Sequence, residues 1–384
     1  MDQTPVKVLL TGGGTGGHIT PLLAVAAKLK SKQPNIHITY VGERGSKFAS
    51  MTKDQAVFDA QKQIFAGKLR RYHGESWLTR LLDVKTNLLN IRDIVFTMMG
   101  MVESVILLIR VKPDVVLLKG GFVGMPVGLA AALLRTPFIT HDSDAVPGLA
   151  NRVVARWARY HATGMPASFY NYQQDSVRYV GVLVSDKYQP VTSSQQRDYR
   201  KELNIPEDAK VLMITGGSNG AEIINKAIRK VLPKLKSSIP KLYVIHQTGR
   251  HKEYQLQEST DWLIVEPLLT DMHRYSGAAD VIVTRAGANT MAEFGVQGRA
   301  CIVVPNPLLT GGHQMVNARE LSKHDAVLVV NENELDTKLP TSIQELLHDA
   351  DQREKFGAKL SKLTKTNAAD ELADLLLTIV EESN

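Results

Sequence analysis

Short apolar runs in this chain repeatedly end on glycine and then pass into a helical pattern. Val6 to Thr11 leads into Gly12-Gly13-Gly14-Thr15-Gly16-Gly17, and a helical pattern follows from Pro21 to about Lys30. A run this short and this apolar reads as a buried strand, and the glycines let the backbone reverse within a few residues. Ile36 to Val41, Pro113 to Lys119 and Pro137 to His141 read as further strands, with Gly120-Gly121 and a helix from Pro126 between the last two. Strands alternating with helices predict an α/β fold, a parallel sheet covered on both faces. The same syntax restarts at Lys210 to Thr215, with a turn over Gly216 to Gly220 and a helix over Ala221 to Leu232. Lys241 to His246, Asp280 to Thr284, Ala300 to Val304 and Ala326 to Val330 follow as strands. A chain of 384 residues exceeds one ordinary core, so two domains are expected. A polar stretch, Gln189 to Arg200, lies between the halves, and the junction is expected near Val180 to Val191. Ligands of such sheets bind beyond the carboxyl ends of the strands.

With 43% hydrophobic and 22% charged residues the chain has a globular balance, which excludes disordered and collagen-like classes. The net charge of +7 suits nucleic acid, an anionic membrane or a phosphate-bearing substrate, or only a solvated basic surface. The single cysteine, Cys301, rules out a disulfide within the chain and any cysteine cluster for zinc or iron–sulfur, in keeping with the cytosol. The chain enters a strand almost at once, so no signal peptide is expected. The longest apolar stretch, Ile94 to Val111, contains Glu103. It is borderline for a membrane span and reads as a buried or surface-seeking helix.

The first glycine turn offers close backbone approach and, at the helix that follows, unpaired N–H groups suited to phosphate. His18 and Ile19 stand where a phosphate-binding NTPase loop needs Lys and Ser or Thr. Gly12, Gly14 and Gly17 satisfy dinucleotide spacing and Glu43 ends the second strand, which keeps a nicotinamide-dependent oxidoreductase open. His18 ends the turn, where an imidazole titrating near neutrality suits a general base; the plainer reading is a histidine that caps the turn. Ser218 gives the second turn a hydroxyl. Thr284 to Glu293 is a third strand–turn–helix element, its helix start placed for a diphosphate and Glu293 for ribose hydroxyls, or else merely solvated. Gln314 and Asn317 share a helical face and carry amides suited to sugar hydroxyls. Asp142-Ser143-Asp144 looks like a metal-binding pair, but no metal is expected.

Together these segments resemble the MurG family, bacterial transferases that add N-acetylglucosamine to the undecaprenyl-linked muramyl-pentapeptide precursor of peptidoglycan. The resemblance is carried by GGGTGGHITP from Gly12, GKLRRY from Gly67, KGGFVGMPVGLAA from Lys119, HDSDAVPGLANR from His141, GGSNGA from Gly216, TRAGANTMAE from Thr284 and GGHQMVNA from Gly311. It implies two Rossmann-like domains in the GT-B arrangement, facing a central cleft. They would cover 1–182, which binds acceptor and membrane, and 183–365, which binds the UDP-sugar. A C-terminal helix in 366–384 would fold back on the first. It also implies inverting transfer of N-acetylglucosamine from its UDP donor to the C4 hydroxyl of the lipid-linked acceptor, with His18 as base and no metal or other cofactor.

For the donor, the resemblance points to Thr15, Gly16 and Gly17 near the reacting groups, Ser218 at the diphosphate and a backbone group of Leu269 at uracil. Ala288, Asn289, Thr290, Met291, Ala292 and Glu293 would hold phosphate and ribose, and Gln314 the sugar. Gly14, Gly121, Phe122 and Asn317 are further candidates for sugar or acceptor contact. Three positions depart from the family pattern: Asp144 replaces an amide expected near the donor sugar, Ser185 an arginine that meets phosphate, and His313 a glutamine. The partners expected are the UDP-sugar, an undecaprenyl-linked lipid, an anionic membrane surface and cell-wall synthesis proteins, with no nucleic acid. The place implied is the cytoplasmic face of the plasma membrane, held peripherally. Lys68, Arg70, Arg71, Arg80, Lys85 and Arg92 beside Trp77, Leu78, Leu81 and Leu82 make Gly67 to Leu82 the expected membrane contact. Ile94 to Val111 adds apolar bulk or packs into the first domain.

Overall fold

The computed structural model describes residues 5–14, 16–46, 49–52, 55–68, 83–217, 219–249, 258–309 and 312–383. They fall into two compact units, one of residues 1–183 with 367–384 and one of 184–366. In the first, β1 (Lys7–Thr11), α1 (Gly16–Lys32), β2 (His37–Glu43), β3 (Ala60–Ile64), α2 (Val84–Val111), β4 (Val115–Leu118), α3 (Gly124–Leu133), β5 (Phe138–Asp142), α4 (Leu149–Val154), β6 (Tyr160–Thr163) and β7 (Val177–Tyr179) follow in order. Their sheet is parallel throughout, in the order β3-β2-β1-β4-β5-β6-β7. Its order reverses between β1 and β4, where an open α/β sheet offers a crevice.

The second unit holds α5 (Ser193–Glu202), β8 (Lys210–Thr215), α6 (Glu222–Ser238), β9 (Leu242–Gln247), β10 (Leu263–Glu266), α7 (Met272–Ala278), β11 (Val281–Thr284), α8 (Ala288–Val296), β12 (Ala300–Val303), α9 (His313–Lys323), β13 (Leu328–Val329), α10 (Lys338–His348) and α11 (Ala350–Lys362). Its parallel order is β10-β9-β8-β11-β12-β13. The last helix, α12 (Ala368–Ser383), belongs to the first unit. Its Leu372, Ala373, Leu376, Ile379 and Val380 share one core with Val8, Leu10, Leu22, Val25 and Leu29. Lys28 and Lys32 pair with Asp370 and Asp374, each at 2.9 Å.

The predicted strands fall within a few residues of those observed. β3, β6, β7 and β10 are additions, and β3 is an edge strand of sequence Ala-Gln-Lys-Gln-Ile with little apolar pattern. Two helices cross prolines taken as boundaries. α1 begins at Gly16 and carries Pro21 inside it, and α6 runs through Pro233; each proline removes one helical hydrogen bond. Most of the polar stretch between the halves is helix. α5 starts on a capping box in which the Thr192 and Gln195 side chains satisfy each other's backbone N–H.

Helix α2 reverses the usual amphipathic arrangement. Its buried positions are Asp93, Thr97, Gly100, Ser104 and Leu108, mostly small or polar. A Cβ on Gly100 would lie 1.8 Å from the Phe65 carbonyl oxygen, so glycine is what lets the helix approach that strand exit. Glu103 accepts the Phe65 N–H at 2.7 Å and pairs with Arg44 at 2.7 Å. The outer face is apolar: Val84, Leu88, Ile91, Ile94, Val95, Met98, Val102, Ile106 and Ile109 are exposed, Met98 by 66%. Ile94 to Val111 therefore does not pack wholly into the first unit. By length and composition alone α2 is long and apolar enough to cross a membrane.

Candidate functional site

In the first unit the chemistry collects where the strand order reverses. β1 runs into the glycine turn and β4 into Lys119-Gly120-Gly121. The two turns pack backbone to backbone: Gly121 has φ +78° and a Cβ there would lie 2.2 Å from the Gly13 carbonyl oxygen. Gly14, at φ +82°, lies against the Phe122 ring, 2.6 Å from where its own Cβ would be. Gly16 and Gly17 form the start of α1. Thr15 lies outside the described residues.

His18 projects from the first turn of α1. Its Nδ1 lies 2.9 Å from the Gly13 carbonyl oxygen, a contact that needs the proton on Nδ1, so the neutral ring carries its lone pair on Nε2. Desolvation, then the nearby Lys119 charge, pull its pKa down to about 4 against the opposing pull of Gly13 and Asp144. The ring is thus a neutral base at physiological pH. Lys119 is buried and donates to the Ser143 hydroxyl at 2.9 Å.

Asp142, half of the acidic pair, is buried and bonded through both oxygens. Oδ1 accepts from the Gly148 N–H and from Asn151 Nδ2 at 2.9 Å, and Oδ2 from the Tyr172 hydroxyl at 3.0 Å. It anchors the loop after β5. Asp144 acts electrostatically on both His18 and Lys119. Among the described residues no group of three or more His, Cys, Asp or Glu is placed to hold a metal ion.

In the second unit the candidates gather around the starts of two helices. Ala288, Asn289, Thr290, Met291, Ala292 and Glu293 are the first six residues of α8, whose cap residue Gly287 supplies no side-chain hydrogen bond. Its leading N–H groups therefore point out unpaired by a cap, as an anion site requires. Glu293 receives a hydrogen bond from the Tyr188 hydroxyl, and burial lifts its carboxyl to about 7. The Tyr188 ring meets His273 edge-on, centroids 6.1 Å apart. Gln247, at the end of β9, donates to the Thr215 hydroxyl and the Gly217 carbonyl, both at 3.0 Å, and accepts the Leu269 N–H at 2.9 Å. It braces the second glycine turn and leaves the Leu269 carbonyl as the backbone group that can meet a base N–H.

Gln314 is buried and accepts the Asn306 N–H at 3.0 Å, fixing the start of the loop before α9. Asn317 is fully buried and donates to the Ala286 carbonyl at 2.9 Å, tying α9 to the turn before α8. Ser185 is exposed, and its hydroxyl accepts the Lys187 N–H at 3.4 Å. Ser218 lies outside the described residues, as do 69–82 and with them Trp77, Leu78 and Arg80. Lys119, Tyr188 and Gln247 are the residues that sequence reasoning missed. Lys119 sat in plain view, a charge at the end of an otherwise apolar strand.

Residues 8–163 match the N-terminal domain model of glycosyltransferase family 28, and residues 211–374 match its C-terminal domain model. A Bacillus pumilus protein and a Natranaerobius thermophilus protein are 32% and 30% identical to this chain. Both are described as UDP-N-acetylglucosamine–N-acetylmuramyl-(pentapeptide) pyrophosphoryl-undecaprenol N-acetylglucosamine transferase. Each alignment covers 98% of this chain, and 99% and 100% of the relative. The crystal structure of Acinetobacter baumannii MurG matches with a TM-score of 0.72 at 23% identity, over 97% of this chain and 100% of that one. That likeness speaks to the fold. Both matched models are glycosyltransferases, so the nicotinamide oxidoreductase reading of the glycine spacing is dropped.

Proposed function

We infer the reaction from one premise: the chain belongs to glycosyltransferase family 28 and, within it, to the UDP-N-acetylglucosamine–N-acetylmuramyl-(pentapeptide) pyrophosphoryl-undecaprenol N-acetylglucosamine transferases. It is an enzyme that moves N-acetylglucosamine from UDP-N-acetylglucosamine to the lipid-linked muramyl-pentapeptide acceptor in peptidoglycan synthesis. The observation that carries this is the similarity spread over 98% of the chain at 30% and 32% identity.

The residues fit an inverting displacement. The acceptor C4 hydroxyl attacks the anomeric carbon of the donor sugar and the bond to the UDP oxygen breaks. His18 Nε2 takes the hydroxyl proton, the role for which a neutral, desolvated imidazole is suited. The leaving diphosphate meets the amide groups at the start of α8, which are already oriented when charge develops. Glu293 accepts from the ribose hydroxyls, and the Leu269 carbonyl meets the uracil. No step calls for a metal ion.

The acceptor is a lipid, and we place the membrane contact on the first unit at α2. Its outer face is apolar over the length of the helix, while exposed Lys85, Arg92 and Arg110 lie along one flank of that face. A helix lying in the interface, apolar side down and cations beside it, binds by burial plus attraction to anionic headgroups. The other face is docked through Glu103 and Gly100, which favours lying on the bilayer over crossing it. The test of the reaction is incubation with labelled UDP-N-acetylglucosamine and a short-chain lipid acceptor. A disaccharide lipid and UDP are expected in equal amounts; release of UDP without the disaccharide overturns the acceptor assignment.

A further inference from the structure

In the second unit the strand order reverses between β8 and β11, and an open α/β sheet offers its ligand crevice above the ends of those two strands. The turn after β8, Gly216 to Gly220, and the start of α8 after β11 lie at those ends. Gly217 sits in that turn at φ +77°, and a Cβ built on it would meet nothing within 4 Å. The backbone there needs glycine, and the space beside it is open. Leu269 lies in the turn after β10, two strands over from β8.

β9 runs between β8 and β10, and Gln247 at its end pairs with Thr215 on one side and Glu266 on the other. A side chain at that strand end can reach both turns, and Gln247 does. It is 1% exposed. Its Nε2 donates to Thr215 Oγ1 and to the Gly217 carbonyl oxygen, both at 3.0 Å, and its Oε1 accepts the Leu269 N–H at 2.9 Å. A carbonyl only accepts and a backbone N–H only donates, so this orientation of the amide is forced. Thr215 Oγ1 also accepts the Gly217 N–H at 3.0 Å. Both polar groups of the Gly217 backbone are thus held by the Thr215–Gln247 pair.

We propose that Gln247 is a positioning residue for the donor: its one amide fixes the backbone that meets the base, at Leu269, relative to the glycine turn that receives the diphosphate beside α8, at Gly217. The proposal rests on the reading of those two turns as donor contacts. A donor that spans both turns then meets a frame set before it arrives, which spares the cost of ordering the loops on binding. Uridine alone uses one end of that frame.

The packing of the turns does not depend on this amide. Asn225 Nδ2, from α6, donates to the Thr248 carbonyl oxygen at 2.8 Å. The Thr248 and Gly249 N–H groups reach the Glu266 and Pro267 carbonyls at 2.9 and 3.1 Å. A Cβ on Gly220 would lie 2.2 Å from the Thr248 carbonyl oxygen, so the two backbones touch. Fold and alignment can therefore be separated by mutation.

The test is calorimetry of uridine and of UDP on the full-length enzyme and two variants. Thr215→Val removes the hydroxyl that the Gly217 N–H and Gln247 share but leaves the Leu269 hydrogen bond. It should weaken UDP about five- to tenfold, the worth of one or two hydrogen bonds, with uridine unchanged. Gln247→Met removes both arms and should weaken uridine and UDP alike in direction, UDP by the larger factor. In both variants KM for the donor should rise with kcat little changed, whereas a merely structural role would lower the unfolding temperature and leave both affinities as they are. Unchanged UDP affinity in folded Gln247→Met overturns the proposal. If that variant does not fold, Thr215→Val decides: an equal loss for uridine and UDP, or no loss, overturns it. Failure of the donor reading looks different. The Gly217 and Leu269 amide signals of selectively labelled wild-type enzyme would then not move in NMR spectra when UDP is added.

Discussion

Burial shifts both titrating side chains of the proposed reaction, His18 toward its task and Glu293 away from it. His18, pulled down to about 4, is a base over the whole physiological range. His18→Ala should lower kcat by roughly 10²–10⁴-fold with UDP affinity little changed, as single-turnover and binding measurements can separate. Glu293, raised to about 7, is a neutral acid below that pH and an anion above it. The anion is the better acceptor for ribose hydroxyls, so UDP affinity measured by calorimetry should strengthen as pH rises through 7. Tyr188→Phe takes away the phenol that stabilises the anion, and the transition should move to higher pH. A flat affinity between pH 6 and pH 8 would remove Glu293 from ribose binding. Chelator should leave turnover intact, because Asp142 spends both oxygens on Gly148, Asn151 and Tyr172.

At the scale of elements, the glycine turns and the strands feeding them were legible because steric rules act locally: apolar runs of a few residues, then glycine. Positive φ at Gly14, Gly120, Gly121 and Gly217 is the structural counterpart of that pattern. The edge strand β3 was not legible, since one neighbour supplies its hydrogen bonds and little of it is buried. Nor were the start of α1 and the end of α6, where proline inside a helix mimics a boundary. Tyr188 and Gln247 escaped notice because their partners lie 105 and 22 positions away, at Glu293 and Leu269. Helix α2 was half legible: its apolarity was plain, but which side faces outward depends on Gly100 and Glu103 meeting Phe65. The triple change Leu88→Ser, Ile91→Ser, Met98→Ser alters exposed positions only. It should abolish co-sedimentation with anionic vesicles while the far-UV circular dichroism and UDP affinity stay as in the wild type; sedimentation equal to wild type moves the membrane face off α2.

At the scale of the molecule, the first unit is not one stretch of chain. Its sheet lies in residues 7–179, but part of its core is α12, from 368 to 383. Leu376 is fully buried there, and Leu376→Ala should cost about 2–5 kcal/mol of the first unit's stability, read as an earlier unfolding transition in urea. The second unit, residues 184–366, is continuous. During synthesis the ribosome therefore delivers everything the second unit needs before it delivers the piece that closes the first. The half made earlier is completed later. Until residues 368–383 emerge, Val8, Leu22, Val25 and Leu29 lack their cover, and the nascent chain presents a greasy surface that a chaperone can hold. Completion of the first unit then reports that the second has already been made.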